Sequence, residues 1–479
     1  DVPGKVRKRM GYEQTDAYDG RINGVFYLLD EEGTHRIVHA GTKLYDGETV
    51  IYEDMNDTRS KAWQFDQKLY LLDGKTYLVY GLLEDKEAAA DQPQKKYQVK
   101  KVSEIAYVPT VIISRNPEGG GTALLPLNLL SRKWTDSFYG KENVKEYQLT
   151  AKNLDDTPVT AKKMKSDGTW QDLKETADFS VDRKTGKVTF VTAPGVSPKT
   201  GEDNVKITAS KIRGSYEKTS DSFSAEAGQT QFTLSALAVG DEEVVAKVLE
   251  ASGSFSEIKE GGGITVDRSE KKVTFSAAPG VSPESGRDNV VIEYQGMTET
   301  YEDRINRCDV SVLYGINGAA DRLFATGNPK YPNQDWYSQM NDPTFFGDLW
   351  YASLGQDSSR ILGYSIVNGR LAAHKDEGED GRNVILRSGT LENGSAAFPI
   401  VGTLQGAGAL GKYSFSYLSN EPLFLTALGV YAITPADITG ERYAESRSFY
   451  INRAPNEEPG REEAVGCTFQ DFYLLAVNN

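Results

Sequence analysis

FSVDRKTGKVTFVTAPGVSPKTGEDNVKI, residues 179–207, returns as ITVDRSEKKVTFSAAPGVSPESGRDNVVI, residues 264–292. The offset is 85 residues throughout, 18 of 29 positions are identical, and no gap is needed. Within each copy the apolar residues Val181, Val188, Phe190, Val205 and Ile207, with their counterparts, alternate with polar ones. That period marks half-buried strands. The AlaProGlyValSerPro run at 193–198 and 278–283 makes a poor central strand, because proline has no donor hydrogen, and reads as a rigid link. Asp203-Asn204 and Asp288-Asn289 then turn the chain into the last strand of each copy.

The likeness extends upstream at the same offset. Tyr147-Gln-Leu149-Thr matches Phe232-Thr-Leu234-Ser, and Val159-Thr-Ala161-Lys matches Val244-Val-Ala246-Lys. About four to seven short strands per copy, without helices, predict a small β-sandwich. The two units are placed at 143–220 and 224–303.

The flanks carry a weaker rhythm. Gly24-Val-Phe-Tyr27-Leu-Leu-Asp30 resembles Lys68-Leu-Tyr70-Leu-Leu-Asp73. Apolar phrases recur around Leu323, Leu371, Leu423 and Tyr473, each behind a turn residue. Two more intervals of that size fit between Tyr70 and Leu323 once the duplicated insert is removed, with Tyr107-Val-Pro-Thr-Val-Ile-Ile113 as a candidate strand. Repeats of about 40 to 50 residues built from short strands predict β-propeller blades. The expected fold is therefore all-β: a β-propeller of about seven blades, with two tandem small β-sandwich domains inserted. Residues 1–142 would form its first blades and 304–479 the remaining ones.

Composition agrees with an all-β chain. Among 479 residues, 46 are glycine and 26 tyrosine, which suits many tight turns. Sixty-nine acidic residues against 54 basic ones leave a net charge of -15, which argues against a general nucleic-acid-binding surface. The basic clusters Lys5, Arg7, Lys8, Arg9 and Lys95, Lys96, Lys100, Lys101 read as solvated faces. No run approaches the 18 or so apolar residues of a membrane span, and no signal-peptide pattern appears. The abrupt start at Asp1 and the strand-like YLLAVNN end suggest a piece of a longer protein. Cys308 and Cys467 are expected to be isolated core thiols.

The search for chemistry is mostly negative. His35 and His39 lie in a strand-like stretch without a nearby third ligand, and His374 follows a strand phrase. Asp182, Asp203, Asp267 and Asp288 lack the spacing of a calcium loop and read as turn residues. No nucleophile elbow, zinc motif, Walker loop or dinucleotide fingerprint is present, and Glu118–Gly121 reads as a flexible loop. No catalytic residue, metal ligand or cofactor is assigned. Glycoside hydrolysis is the enzyme alternative, since it needs only two suitably spaced acids, and Asp335, Asp342 and Asp348 sit in the most aromatic stretch of the chain. Its aromatics Trp336, Tyr337, Phe345, Phe346, Trp350 and Tyr351 suit a sugar platform or, preferentially, a partner surface. Arg442 and Arg447, in TGERYAESRSFY at 439–450, have a similar interface composition.

That stretch also carries a resemblance. RLFATGNPKYPNQDWYSQMNDPTFFGDLWY, residues 322–351, with SSRILGYSIVNGRLAAHK and NEPLFLTALGVYAITPADITGERYAESRSFYIN behind it, resembles a family of structural proteins of tailed bacteriophages and prophages. These are packaged-DNA stabilisation or minor structural proteins. The likeness is densest across 300–479 and extends to 20–115 and to the VDRKTGKVTFVTAPG units. It implies a virion protein at the head–tail junction or tail, made in the host cytoplasm, that binds portal, adaptor or tail proteins and helps retain packaged DNA. It implies no catalytic residues. A ring-shaped homo-oligomer would multiply modest contacts, and direct contact with DNA stays open. A glycan-binding adhesin is the other alternative.

Overall fold

The structure, a computed structural model, describes residues 13–84, 95–376, 383–404, 408–433, 445–448 and 459–477. The chain divides into two compact units. A flank unit holds residues 1–111, 123–134 and 304–479, and a repeat unit holds 112–122 and 135–303.

The flank unit is built from antiparallel meanders. The first is Ile22–Asp30, Gly33–Ala40, Lys43–Asp46, Thr49–Tyr52; the second is Lys61–Phe65, Lys68–Leu72, Tyr77–Glu84, Lys95–Lys101. The third is Val310–Leu313, Leu323–Thr326, Gln334–Tyr337, Tyr351–Ser353. The fourth is Ile361–Val367, Arg370–Lys375, Val384–Ser388, Ile400–Leu404, and the fifth is Ser416–Leu418, Glu421–Thr426, Gly429–Ala432, Glu445–Ser446. A hairpin, Val465–Phe469 with Phe472–Ala476, follows. Turn chemistry sets these returns. Asn368-Gly369 takes φ values of +47° and +70°, the left-handed pair that a two-residue hairpin matched to strand twist requires.

The chain is all-β, but the expected propeller is not formed. Among the described residues no sheet closes into a barrel or propeller; five open four-stranded sheets and short hairpins stand in place of about seven blades. Spacing counts meanders, whereas closure depends on long-range pairing that spacing does not encode. Tyr107–Ile113 supplies no blade either. The strand there is Thr110–Arg115, hydrogen-bonded between Thr122–Ala123 and Lys133–Phe138 in the sheet of the first repeat. Leu323, Leu371, Leu423 and Tyr70 each fall in the second strand of a meander, but Tyr27 falls in a first strand. The two tyrosine phrases are therefore not equivalent positions.

Polar clasps fasten successive meanders. Tyr80 and Tyr97 of the second donate to Asp46 and Asp30 of the first, at 2.5 Å each. Trp63 Nε1 donates to Ser311 Oγ of the third at 2.9 Å. The third and fourth share a buried Asp335–Arg387 pair, and Tyr417 of the fifth accepts the Ile366 N–H of the fourth at 2.5 Å.

In the repeat unit each copy is a pair of sheets. The first joins the strand order Thr122–Ala123, Thr110–Arg115, Lys133–Phe138, Val205–Ser210, Thr160–Met164, Trp170–Lys174 to a three-stranded sheet, Glu146–Gln148, Lys187–Phe190, Phe179–Asp182. The second pairs Gly214–Phe223, Val290–Thr300, Val245–Leu249, Phe255–Lys259 with Gln231–Thr233, Lys272–Phe275, Ile264–Asp267. Phe232, Val244, Ala246, Val273, Phe275, Val290 and Ile292 share one core. Their equivalents 85 positions earlier, Tyr147, Val159, Ala161, Val188, Phe190, Val205 and Ile207, are buried to the same degree. Each large apolar side chain so buried contributes about 1.5–3 kcal/mol.

The copies begin earlier than 143 and 224. Asp136-Ser-Phe138 and Asp221-Ser-Phe223 match at the 85-residue offset and close the equivalent strands Lys133–Phe138 and Gly214–Phe223. Asp136 accepts the Thr150 N–H at 2.8 Å and its hydroxyl at 3.0 Å; Asp221 accepts the Ser235 N–H and hydroxyl at 2.7 Å each. Strand Gly214–Phe223 consequently runs across the expected 220/224 boundary.

Candidate functional site

The aromatic stretch folds inward. Strand Gln334–Tyr337 lies inside the third meander, so Asp335 and Trp336 are both buried. Phe345 and Phe346 are 1% and 0% exposed, which removes them and Trp336 from any surface contact. Phe345 stacks on Tyr107, with centroids 5.2 Å apart, and Trp350 stacks on half-buried Tyr337 at 5.9 Å. Asn128 holds the loop closed. Its Nδ2 donates to the carbonyls of Tyr107 and Thr344 at 2.8 Å each, and its Oδ1 accepts the Phe346 N–H at 3.1 Å. The surface that remains is Tyr351 (44% exposed) with Met340 and Leu349 (51% and 76%). The two aliphatic side chains were hidden from a reading that weighed aromatics alone. Arg447 is exposed and pairs with Glu421 through two contacts of 2.7 and 3.0 Å; Arg442 lies outside the described residues.

Two acids of this stretch, Asp335 and Asp342, serve the fold. Asp335 is fully buried, and both its oxygens lie 2.7 Å from Arg387 Nη1, while Tyr364 donates to Oδ2 at 3.0 Å. Arg387 Nε donates in turn to the Phe398 carbonyl at 2.8 Å. A carboxylate sealed in this way cannot reach a glycosidic oxygen or a water. Asp342 Oδ1 accepts the Thr344 N–H at 2.9 Å and its hydroxyl at 2.6 Å, a local turn role. Asp182 and Asp267 do the same for their turns, accepting from Thr185 Oγ1 and Ser269 Oγ at 2.6 Å.

Long-range packing does create titratable clusters. His35 Nδ1 lies 2.9 Å from Asp46 and its Nε2 3.8 Å from Asp30, the two carboxylates that Tyr80 and Tyr97 also address. Burial and the Asp46 hydrogen bond push the Tyr80 phenol up; the Tyr97 bond holds Asp30 below its ordinary value. Asp309 pairs with Lys412 at 2.6 Å, beside buried Cys308; burial raises both the Asp309 carboxyl and the Cys308 thiol. Cys467, expected in the core, is instead exposed on the last hairpin.

His39 and His374 are core residues. His39 contacts Ser60 Oγ at 2.8 Å and the Gly41 carbonyl at 3.0 Å, and burial lowers its pKa. His374 contacts Ser365 Oγ at 2.9 Å between the rings of Phe415 and Phe424, where burial holds it down to about 3. Among the described residues no group of three or more His, Cys, Asp or Glu side chains is arranged to hold a metal ion. The clusters fasten sheets together. No family model matches this chain, and no curated protein matches its sequence.

Proposed function

We propose that this chain is a structural protein of a tailed phage or prophage particle, at the head–tail junction or tail. It acts through contacts with portal, adaptor or tail proteins that help retain packaged DNA. The resemblance of residues 322–351 and the segments behind them supports that class of protein. The observation that favours binding over catalysis is Asp335. The most suggestive acid of the aromatic stretch is neutralised by Arg387 in a wholly buried pair, so the residues that look most like a sugar site form a packed core.

Exposed apolar side chains are available for such contacts: Met340, Leu349 and Tyr351 here, and Val25, Tyr27 and Leu29 along one face of the edge strand Ile22–Asp30. Such side chains suit protein contact surfaces.

Deletion of the gene from the encoding phage or prophage tests the reading. The expected result is particles that lack the chain and leak DNA, restored by supplying it in trans. Intact DNA-retaining particles without the chain, or glycan turnover by the purified protein that Asp342→Asn abolishes, would overturn it.

A further inference from the structure

The duplication provides an internal comparison of exposed residues. Twelve aligned positions of 179–207 and 264–292 are exposed in both copies, and eight of them differ. The four unchanged pairs are Asp182/Asp267, Val196/Val281, Pro198/Pro283 and Gly201/Gly286. Three have backbone reasons. The aspartates hold turns, the prolines fix φ, and the glycines sit at φ +80° and +76°, where a side chain is strained. Val196 and Val281 are 60% and 62% exposed, so burial does not account for their retention.

Their loops are held alike. Asn204 accepts the Gly140 N–H at 2.7 Å and donates to the Gly195 carbonyl at 3.0 Å; Asn289 accepts the Ala225 N–H at 2.8 Å and donates to the Gly280 carbonyl at 3.0 Å. Ser197 and Ser282 then donate to the carbonyls of Lys199 and Glu284, both at 2.8 Å. Pinned in this way, each valine is presented on a loop with little left to order on binding. The charges beside it are not kept. Lys199 pairs with Glu202 in one copy, and Glu284 with Arg287 in the other, so the order of signs is reversed. A partner reading charge would meet opposite patterns; one reading the apolar tip meets the same one twice.

The geometry points to a twinned docking element. Loops 193–198 and 278–283 each insert a valine into an apolar socket on a protein assembly that repeats the socket. A symmetric ring of subunits is the partner that provides this, because its symmetry presents one patch several times. This identification of the partner rests on the virion role proposed above. Burying one such valine is worth about tenfold in affinity, and linked sites multiply.

The test uses the full chain, fluorescently labelled, titrated onto purified particles from a deletion of its gene. Val196→Ser and Val281→Ser are each expected to weaken binding about tenfold, and the double variant about a hundredfold or more. Val196→Ile with Val281→Ile should stay near wild type. Melting of all four variants should be unchanged, since the residues are exposed. A double serine variant that binds like wild type, or a single one that accounts for the whole loss, overturns the twinned contact. Failure of the wild-type chain to bind these particles would instead reject the virion role itself.

Discussion

The repeat unit and the flank unit solve the same problem, stacking short sheets, in different ways. Each repeat encloses an apolar core, keeps the ion pairs Glu175–Arg183 and Glu260–Arg268 partly exposed, and buries hydrogen-bonded polar groups such as Asp136, Asn204 and Asn289. The flank unit places charge and imidazole inside: Asp335 with Arg387, His374, and Lys375, whose ammonium donates to the Leu354 and Ser359 carbonyls. Of the eleven substitutions separating residues 179–207 from 264–292, only Phe179 to Ile264 falls at a position buried in both copies, and an apolar core of this kind accepts such a change while volume and alternation are kept. A polar clasp tolerates far less, because each partner left alone is a buried unsatisfied group.

The contrast is broken most severely at Arg387. Arg387→Met leaves Asp335 buried without its counter-charge, and a loss of about 3–5 kcal/mol is expected. Hydrogen exchange should locate the loss in strands Gln334–Tyr337 and Val384–Ser388 while Val290–Thr300 keeps its protection. A second change, Asp335→Leu, should recover much of the loss, because a well-packed apolar pair can replace a buried ionic one. If Arg387→Met alone is neutral, the clasp does not hold these sheets together.

His374 sharpens the contrast through pH. Its imidazole is held down to about 3, whereas the unfolded chain titrates near 6.5. Between those values the unfolded state binds the extra proton. The contribution is therefore complete above about pH 6.5 and is lost as pH falls towards 3, at several kcal/mol in all. Protection of Arg370–Lys375 should fall with acid over that window, and His374→Gln should flatten the profile. An unchanged profile would show that the ring titrates normally in the folded state.

The repeats should be interchangeable where the flank sheets are not. Asn204→Ala and Asn289→Ala each remove a two-sided clamp, and each is expected to cost about 1–3 kcal/mol, the same in both copies within error. Unequal losses, read by local hydrogen exchange, would mean that the duplicated loops are held by different forces.

What could be read from the chain follows the same division. A core repeated at a fixed offset declares itself, and Val188/Val273 and Phe190/Phe275 are buried as alternation requires. Extending the offset to Asp136 and Asp221 would have found the true first strands as well. The clasps are invisible because Asp335 and Arg387 lie 52 residues apart and meet only when two meanders pack. Trp336 is hidden for a related reason: in a strand paired on both sides within its sheet, this large aromatic is buried, and composition alone cannot separate core from interface. Closure of the meanders failed on the same ground, since neither spacing nor turn residues report which edges meet.

The smallest effect belongs to the rim pairs, and it tests whether the two copies balance charge alike. The Arg268 hydrogen bond holds Glu260 below its ordinary value. Burial acts to raise Glu175, and Arg183 together with the Val159 N–H outweighs it, so the net direction is the same. A depressed carboxylate lends stability above its unfolded pKa of about 4.5 and loses it as pH falls through the lower folded value. Arg183→Ala and Arg268→Ala should therefore each cost about 1 kcal/mol at neutral pH and nothing at pH 2. High salt should shrink both losses, because each pair is a quarter exposed and open to screening. A loss at Arg183 several times that at Arg268 would show that burial of Glu175 makes the first copy behave more like the flank unit than like its own duplicate.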